Sequence, residues 1–296
     1  MLWFAMAKSG AKLIRYLTSS ETDDGWQIGC VDVGHVAVAP GAPYPVLGEH
    51  PPGYAETLRE GRTLSEYQLL CISEGQGSLT VGKKVYPVQA GTAFLLFPGV
   101  THTYAPDPAT GWTEYWVGFR GVLPDLLVKK GFFSPDDPVY PGAFDPSAVN
   151  DFRQLLDEVA AEPPGYRLVA ASRVVLLLSR LVAARRAQNI PDGTSEIVGK
   201  AKLVFEEHLT DHDVDLADLA RKLGLSYVAF TSLFRQYTGQ TPHQYWLNLK
   251  INHGKGWLVS GKSVKETAFH LGFESEFHFS RLFKKKTGTP PSRWGR

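Results

Sequence analysis

Residues 220–242, ARKLGLSYVAFTSLFRQYTGQTP, and residues 268–294, AFHLGFESEFHFSRLFKKKTGTPPSRW, follow one pattern. A pattern written twice has to fold twice, so this pair constrains the chain more than any other feature. Asp215 and Ser263 are N-cap candidates, and Asp218 and Glu266 lie three residues on, the spacing of a capping box. Ala220 and Ala268 are small enough to let two helices cross closely. Gly224 and Gly272 then stop a helix. Ser226 and Ser275 can cap the next one. Phe230 with Phe234, and Phe279 with Phe283, are four apart, which makes one face of each second helix apolar. Gly239 and Gly288 close those helices, and Pro242 and Pro291 follow. Each copy therefore reads as a helix-turn-helix, whose second helix in DNA-binding proteins enters the major groove.

A helical hairpin that only packs would show the same periodicity. The outward faces favour DNA: Glu276, Arg281, Lys284, Lys285 and Lys286 in the second copy, Thr231, Ser232 and Arg235 in the first. The formal net charge of the whole chain is only +1, yet from Lys250 onward there are 10 basic and 3 acidic residues. A basic end on a near-neutral chain suits a polyanion, although a solvated face has the same composition. Two copies in one chain act like a built-in dimer, able to reach major-groove segments about 34 Å apart. The segment between them, PHQYWLNLKINHGKGWLVSGK, reads as a long connecting helix.

Both copies and this helix resemble the AraC/XylS-type transcriptional regulators. GFESEFHFSRLFKKKTGTPPSRW is close to the family signature, and DLADLARKLGLSYVAFTSLFRQYTGQTPHQYW to its first half. The resemblance implies base contacts from Val228, Thr231 and Ser232 in the first recognition helix. In the second it implies Glu276, Phe277, Ser280 and Arg281. Arg281 could fork onto guanine, and Glu276 could accept from cytosine. Arg235 and Lys284 would hold phosphates. Where the family carries Arg and Ala in the connecting helix, this chain has Lys250 and Gly254, with Gly256 close by. Each mid-helix glycine costs about 1 kcal/mol against alanine, which predicts a weakened, bent connection.

Residues 14–120 are different in kind. Short runs such as EYQLLCI, GSLTVG, GTAFLLF and YWVGF are separated by glycine-containing turns, the pattern of a β-barrel or sandwich. After Phe144, DPSAVNDFRQLLDEVAAE opens a helix with an Asp-Pro cap, and GYRLVAASRVVLLLSRLVAARR makes another. Arg173 and Arg180, seven apart, interrupt the second helix's apolar stripe, which either packs on its own domain or forms a dimer seam. AQNIPDGTSE reads as a linker.

The β segment resembles the cupin-like effector domain of sugar-responsive members of the same family, through Gly75 and Gly77, AGTAFLLFPGVTH and WTEYWVGFRG. That resemblance implies a small-molecule pocket, with Arg59, Arg62, His102, Tyr104, Glu114 and Trp116 as effector-binding candidates. Thr103 and Glu114 fall where the family usually places pocket histidines. Metal-holding cupins need several histidines and a glutamate. This stretch offers His102 alone, so no metal or other cofactor is expected. No nucleophile elbow, phosphate-binding loop or dinucleotide fingerprint appears, which leaves a cupin enzyme as the weakest reading. Cys30 and Cys71 are too few for a disulfide scaffold. No apolar run is long enough for a membrane span, and MLWFAMAKSGAK lacks the form of a signal peptide.

The expected architecture is an α+β multidomain chain. Residues 1–144 form a cupin-like effector-binding β domain, 145–188 a helical dimerisation segment, 189–196 a linker and 197–296 a double helix-turn-helix domain. The expected function is a cytoplasmic, sequence-specific transcriptional activator without enzymatic activity. It would respond to a small molecule, most simply a sugar. Its partners would be double-stranded DNA, a second copy of itself and RNA polymerase. The alternative is a DNA-binding regulator whose β domain only dimerises or takes a non-sugar effector.

Overall fold

A computed structural model describes residues 13–18, 25–45, 61–188 and 190–294. The chain divides into two compact units, Met1–Ala187 and Gln188–Arg296.

The first unit is built on an eight-stranded antiparallel sheet in the order β1-β2-β7-β3-β5-β8, with β4 and β6 flanking the far half of β3. The strands are β1 (Leu13–Tyr16), β2 (Gly29–Val38), β3 (Tyr67–Val81), β4 (Lys84–Gln89), β5 (Thr92–Leu96), β6 (His102–Pro106), β7 (Trp112–Arg120) and β8 (Val139–Tyr140). Strand β3 is 15 residues long and pairs with β5 and β7 through its first half and with β4 and β6 through its second. Sharing one long strand folds the sheet on itself and encloses an interior. Alternation then sorts the side chains. Leu70, Ile72, Leu79, Phe94 and Leu96 face inward. Leu69, Cys71, Leu95, Val117 and Phe119 face the other way, into a core shared with helices.

Those helices are α2 (Pro146–Ala161) and α3 (Tyr166–Ala187). Asp145 caps α2 by accepting from the Ala148 amide, with Pro146 in the first turn, as the sequence predicts. Helix α3 buries Ala170, Ala171, Val174, Leu177, Leu178 and Leu181 within its own unit. The two stripe arginines turn to α2: Arg180 pairs with Asp151 at 2.5 Å and Arg173 donates to Gln154 at 2.7 Å. A further helix, α1 (Val122–Lys129), follows β7 directly. It has no counterpart in the sequence reading, because eight residues with a proline in the first turn give little periodic signal.

The second unit is helical: α4 (Thr194–Glu207), α5 (Leu216–Lys222), α6 (Tyr227–Thr238), α7 (Pro242–Val259), α8 (Val264–His270) and α9 (Glu276–Thr287). Helix α4 starts inside the stretch read as linker, because Gly193 takes a φ of 78° and turns the chain into it. Two cores form on either side of α7. One gathers Phe205, Phe230, Phe234 and Trp246, the other Ile251, Leu271, Phe279 and Phe283. The caps fall where the repeat places them. Asp215 accepts from Ala217 and Asp218, Ser226 from Ala229, and Ser275 from His278. Ser263 and Glu266 close a reciprocal capping box. Gly224, Gly239, Gly272 and Gly288 all have positive φ, as helix-ending glycines do. Helix α7 runs unbroken over 18 residues. A Cβ on Gly254 would lie 3.2 Å from both Leu271 and Phe279, so a larger residue there would need those side chains to yield by a few tenths of an ångström.

Candidate functional sites

The recognition surface is built by two helices of the same design. In α6, Phe230 and Phe234 are fully buried, which fixes the rotation of the helix and turns the opposite face outward. On that face Val228, Thr231, Ser232 and Arg235 line one open groove together with Tyr227 and Gln236. All four candidates from the first copy are thus brought together. Tyr227 and Gln236 went unread, although they continue the same face at helical spacing. Val228 is 75% exposed. The Thr231 hydroxyl is shielded and has no hydrogen-bond partner, so presenting it to a base edge requires rotation about χ1.

In α9, Phe279 and Phe283 play the anchoring role. Glu276, Phe277, Arg281 and Lys284 are exposed, and Ser280 is half-buried. Phe277 is 76% exposed, the counterpart of Val228. Each recognition helix therefore shows solvent a large apolar residue at its second position. Basic residues follow in the last turn: Arg235 in α6, and Lys284, Lys285 and Lys286 in α9. Cations there oppose the negative end of the helix dipole and can also meet phosphates.

The second candidate site lies inside the sheet of the first unit. Asp32 and Gly34 of β2, Gln68 of β3, and Glu114, Trp116 and Gly118 of β7 occupy inward positions in register. Glycines make the room. A Cβ on Gly34 would lie 2.1 Å from the Trp116 ring, and one on Gly118 would lie 2.2 Å from an Asp32 carboxylate oxygen. Arg62 reaches inward from the segment before β3, where its backbone bridges to His102. It donates to Gln68 Oε1 at 2.9 Å and to the Tyr104 hydroxyl at 3.2 Å. Gln68 in turn donates to Asp32 at 3.4 Å. Tyr44 donates to the Glu114 carboxyl at 3.1 and 3.2 Å. The rings of Tyr44, Phe94, Tyr104 and Trp112 pack around this network.

Asp32, Arg62, Gln68, His102 and Glu114 are all buried, and desolvation is the leading cause of the shifts at Asp32, His102 and Glu114. Burial raises the Glu114 carboxyl from 4.5 to about 8, against the pull of the Tyr44 hydroxyl and the Arg62 charge. Burial and then Glu66 raise Asp32 to about 6, with Gln68, Arg62 and Trp116 opposing. Burial lowers His102 to about 4; its Nδ1 bond to the Val100 carbonyl works against this, and Arg62 works with it. His102 is therefore neutral at pH 7, and its Nε2 is buried without a partner.

Five of the six effector candidates thus converge: Arg62, His102, Tyr104, Glu114 and Trp116. Arg59 lies outside the described residues. Thr103 is out of step with the inward residues of β6. Alternation along β6 sends His102 and Tyr104 inward, while Thr103 lines a groove with Ser78, Thr80 and Ala105 that Tyr44 and Tyr104 also border. Asp32, Tyr44 and Gln68 were missed. Inward parity on β2 and β3 could have flagged Asp32 and Gln68, since a polar residue at an apolar beat is informative. Among the described residues, no cluster of His, Cys, Asp and Glu could hold a metal ion, and no helix is long and apolar enough to cross a membrane.

A model of an AraC-like ligand binding domain matches residues 53–178, and one of a helix-turn-helix domain matches residues 219–296. The MmsAB operon regulatory protein of Pseudomonas aeruginosa is 33% identical over 77% of this chain and 75% of its own length. The chain belongs to the AraC family of transcriptional regulators. The Arabinose operon regulatory protein of Escherichia coli is 28% identical over 77% of this chain and 80% of its length. The Msm operon regulatory protein of Streptococcus mutans is 25% identical over 81% and 86%. In this AraC-family chain the sheet unit is the ligand-binding domain and the helical unit the DNA-binding domain.

Proposed function

We propose that this AraC-family regulator is a sugar-responsive transcriptional activator of carbohydrate catabolism genes. The observation that carries the reading is the enclosed network of Arg62, Gln68, Tyr104, Asp32, Tyr44 and Glu114, set among Trp112 and Trp116. Sugars want this combination: aromatic faces for C–H surfaces, and planar donors and acceptors for vicinal hydroxyls. A largely protonated Glu114 would offer both a donor and an acceptor, which suits a neutral polyol better than an anion. The similarity to a regulator named for an arabinose operon supports the same class.

In this reading Val228, Thr231, Ser232, Glu276, Phe277, Ser280 and Arg281 meet base edges, and Arg235 and Lys284 meet phosphates. The chain works in the cytoplasm as a homodimer through the α2–α3 region and recruits RNA polymerase. Effector binding biases two states of the regulator by its differential affinity for them.

The test is thermal unfolding of the full-length protein against a panel of mono- and disaccharides. A binder at 100 times its Kd should add about 2.7 kcal/mol to the sheet unit. A selective upward shift supports the proposal. A flat panel rejects a sugar effector. It would favour the second reading, a β domain that only dimerises, which the mutual pairing of the interior polar groups also fits.

A further inference from the structure

Lys250 sits in the middle of α7, and it is only 1% exposed. Its ammonium donates to the Asp211 carbonyl at 2.5 Å and to the Leu271 carbonyl at 2.7 Å, and lies 3.8 Å from the centre of the Trp246 ring. The two acceptors come from different halves of the DNA-binding unit. Asp211 belongs to the loop between α4 and α5. Leu271 ends α8, and its carbonyl is among those a helix leaves without an internal partner. Burial lowers this lysine to about 8, against the attraction of Asp211 and Asp213, so it remains mostly charged at pH 7.

The surroundings join the same two pieces. A Cβ on Gly272 would lie 2.4 Å from the carbonyl oxygens of both Thr210 and Asp211, so the two backbones meet directly. The Trp246 indole, on α7 itself, donates to the His208 carbonyl at 3.2 Å and ties the same loop to the connecting helix. His212 reaches Glu274, just before α9, at 2.9 Å. The loop at 208–213 is therefore docked onto the turn that launches the second recognition helix, with the Lys250 charge inside the seam.

We infer that Lys250 is a positioning residue that holds α6 and α9 at one fixed distance and angle, and so sets the spacing of the two DNA segments they read. The inference rests on the reading of both helices as DNA-reading heads. An apolar side chain of the same length would fill the space but leave two buried carbonyls unpaired, freeing the seam to shift.

The test measures binding to three DNAs by fluorescence anisotropy: a site selected from a random library, the same site with one base pair inserted between its two segments, and a site keeping one segment only. For the native protein the insertion should weaken binding by about 100-fold, the loss of one reading head's contacts. For Lys250→Met the insertion should matter by no more than about threefold, with one-segment binding unchanged. Lys250→Arg, which can donate to both carbonyls, should keep the native ratio. If Lys250→Met weakens all three DNAs by one factor, or changes none, Lys250 does not set the spacing and the inference falls. A native protein indifferent to the insertion would overturn the two-head reading itself, and this inference with it. Should methionine leave the unit unfolded, Lys250→Gln, which keeps an amide donor, should give an intermediate ratio; a native ratio there would count against the inference.

Discussion

Replacing Glu114 by glutamine isolates the most strongly perturbed carboxyl of the effector unit. Glu114 is buried between strands and carries a pKa near 8 instead of 4.5. A carboxyl raised in the folded state binds its proton more tightly folded than unfolded. Its contribution is complete below pH 4.5 and is lost as the pH climbs through 8. A tenfold difference in proton affinity between the two states is worth about 1.4 kcal/mol, so the full penalty at pH 9 is on the order of 5 kcal/mol. Glutamine has the same shape, can still accept from the Tyr44 hydroxyl and never ionises. The variant should match the native protein at pH 4.5 and exceed it progressively above that. Asp32 and His102 also titrate, but they are common to both proteins and drop out of the difference. Urea unfolding of the first unit at about pH 5, 7 and 9, followed by tryptophan fluorescence, measures it. Parallel stability curves would refute the assignment, because they would mean that Glu114 already shares enough solvent to ionise freely.

Arg281→Ala should weaken specific DNA binding by about 1–3 kcal/mol and relax preference at one base, read by competition with substituted sites; an unchanged preference removes Arg281 from the reading face. Gly34→Ala places a methyl 2.1 Å from the Trp116 ring. Overpacking should cost the effector unit about 1–3 kcal/mol in denaturant unfolding and shift the Trp116 emission, and an unperturbed protein would contradict the inward placement. Ser263→Ala opens the capping box at α8 and should cost about 1 kcal/mol, seen as faster amide exchange in that helix while α5 is unaffected.

Local chemistry made the DNA-binding unit easy to read. Caps, helix-ending glycines and phenylalanines four apart act within a turn or two, so Ser226, Ser263, Ser275, Gly239 and Gly288 announce their roles without tertiary information. Gly254 shows where that logic ends. Its cost is local, but its close neighbours are Leu271 and Phe279, which no window of α7 contains. Lys250 is similar, since its two acceptors lie 39 and 21 residues away. The candidate effector site was half legible. Tyr104, Glu114 and Trp116 lie in a segment with family-like pattern. Asp32 and Tyr44 come from a part of the chain that meets β7 only through sheet pairing and side-chain contact, at separations such as the 70 residues between Tyr44 and Glu114. Thr103 lies one position from His102 and Tyr104, and in a strand one position is the difference between the two faces.

The central claim is that one chain reads DNA with two helices and that a sugar in the sheet unit changes how it does so. Hydroxyl-radical footprinting of the full-length protein on its selected site, with and without a stabilising sugar, tests this directly. The account predicts two protected segments per chain about one helical turn apart, with occupancy that changes when the sugar is added. A single protected segment, identical with and without the sugar, would contradict it.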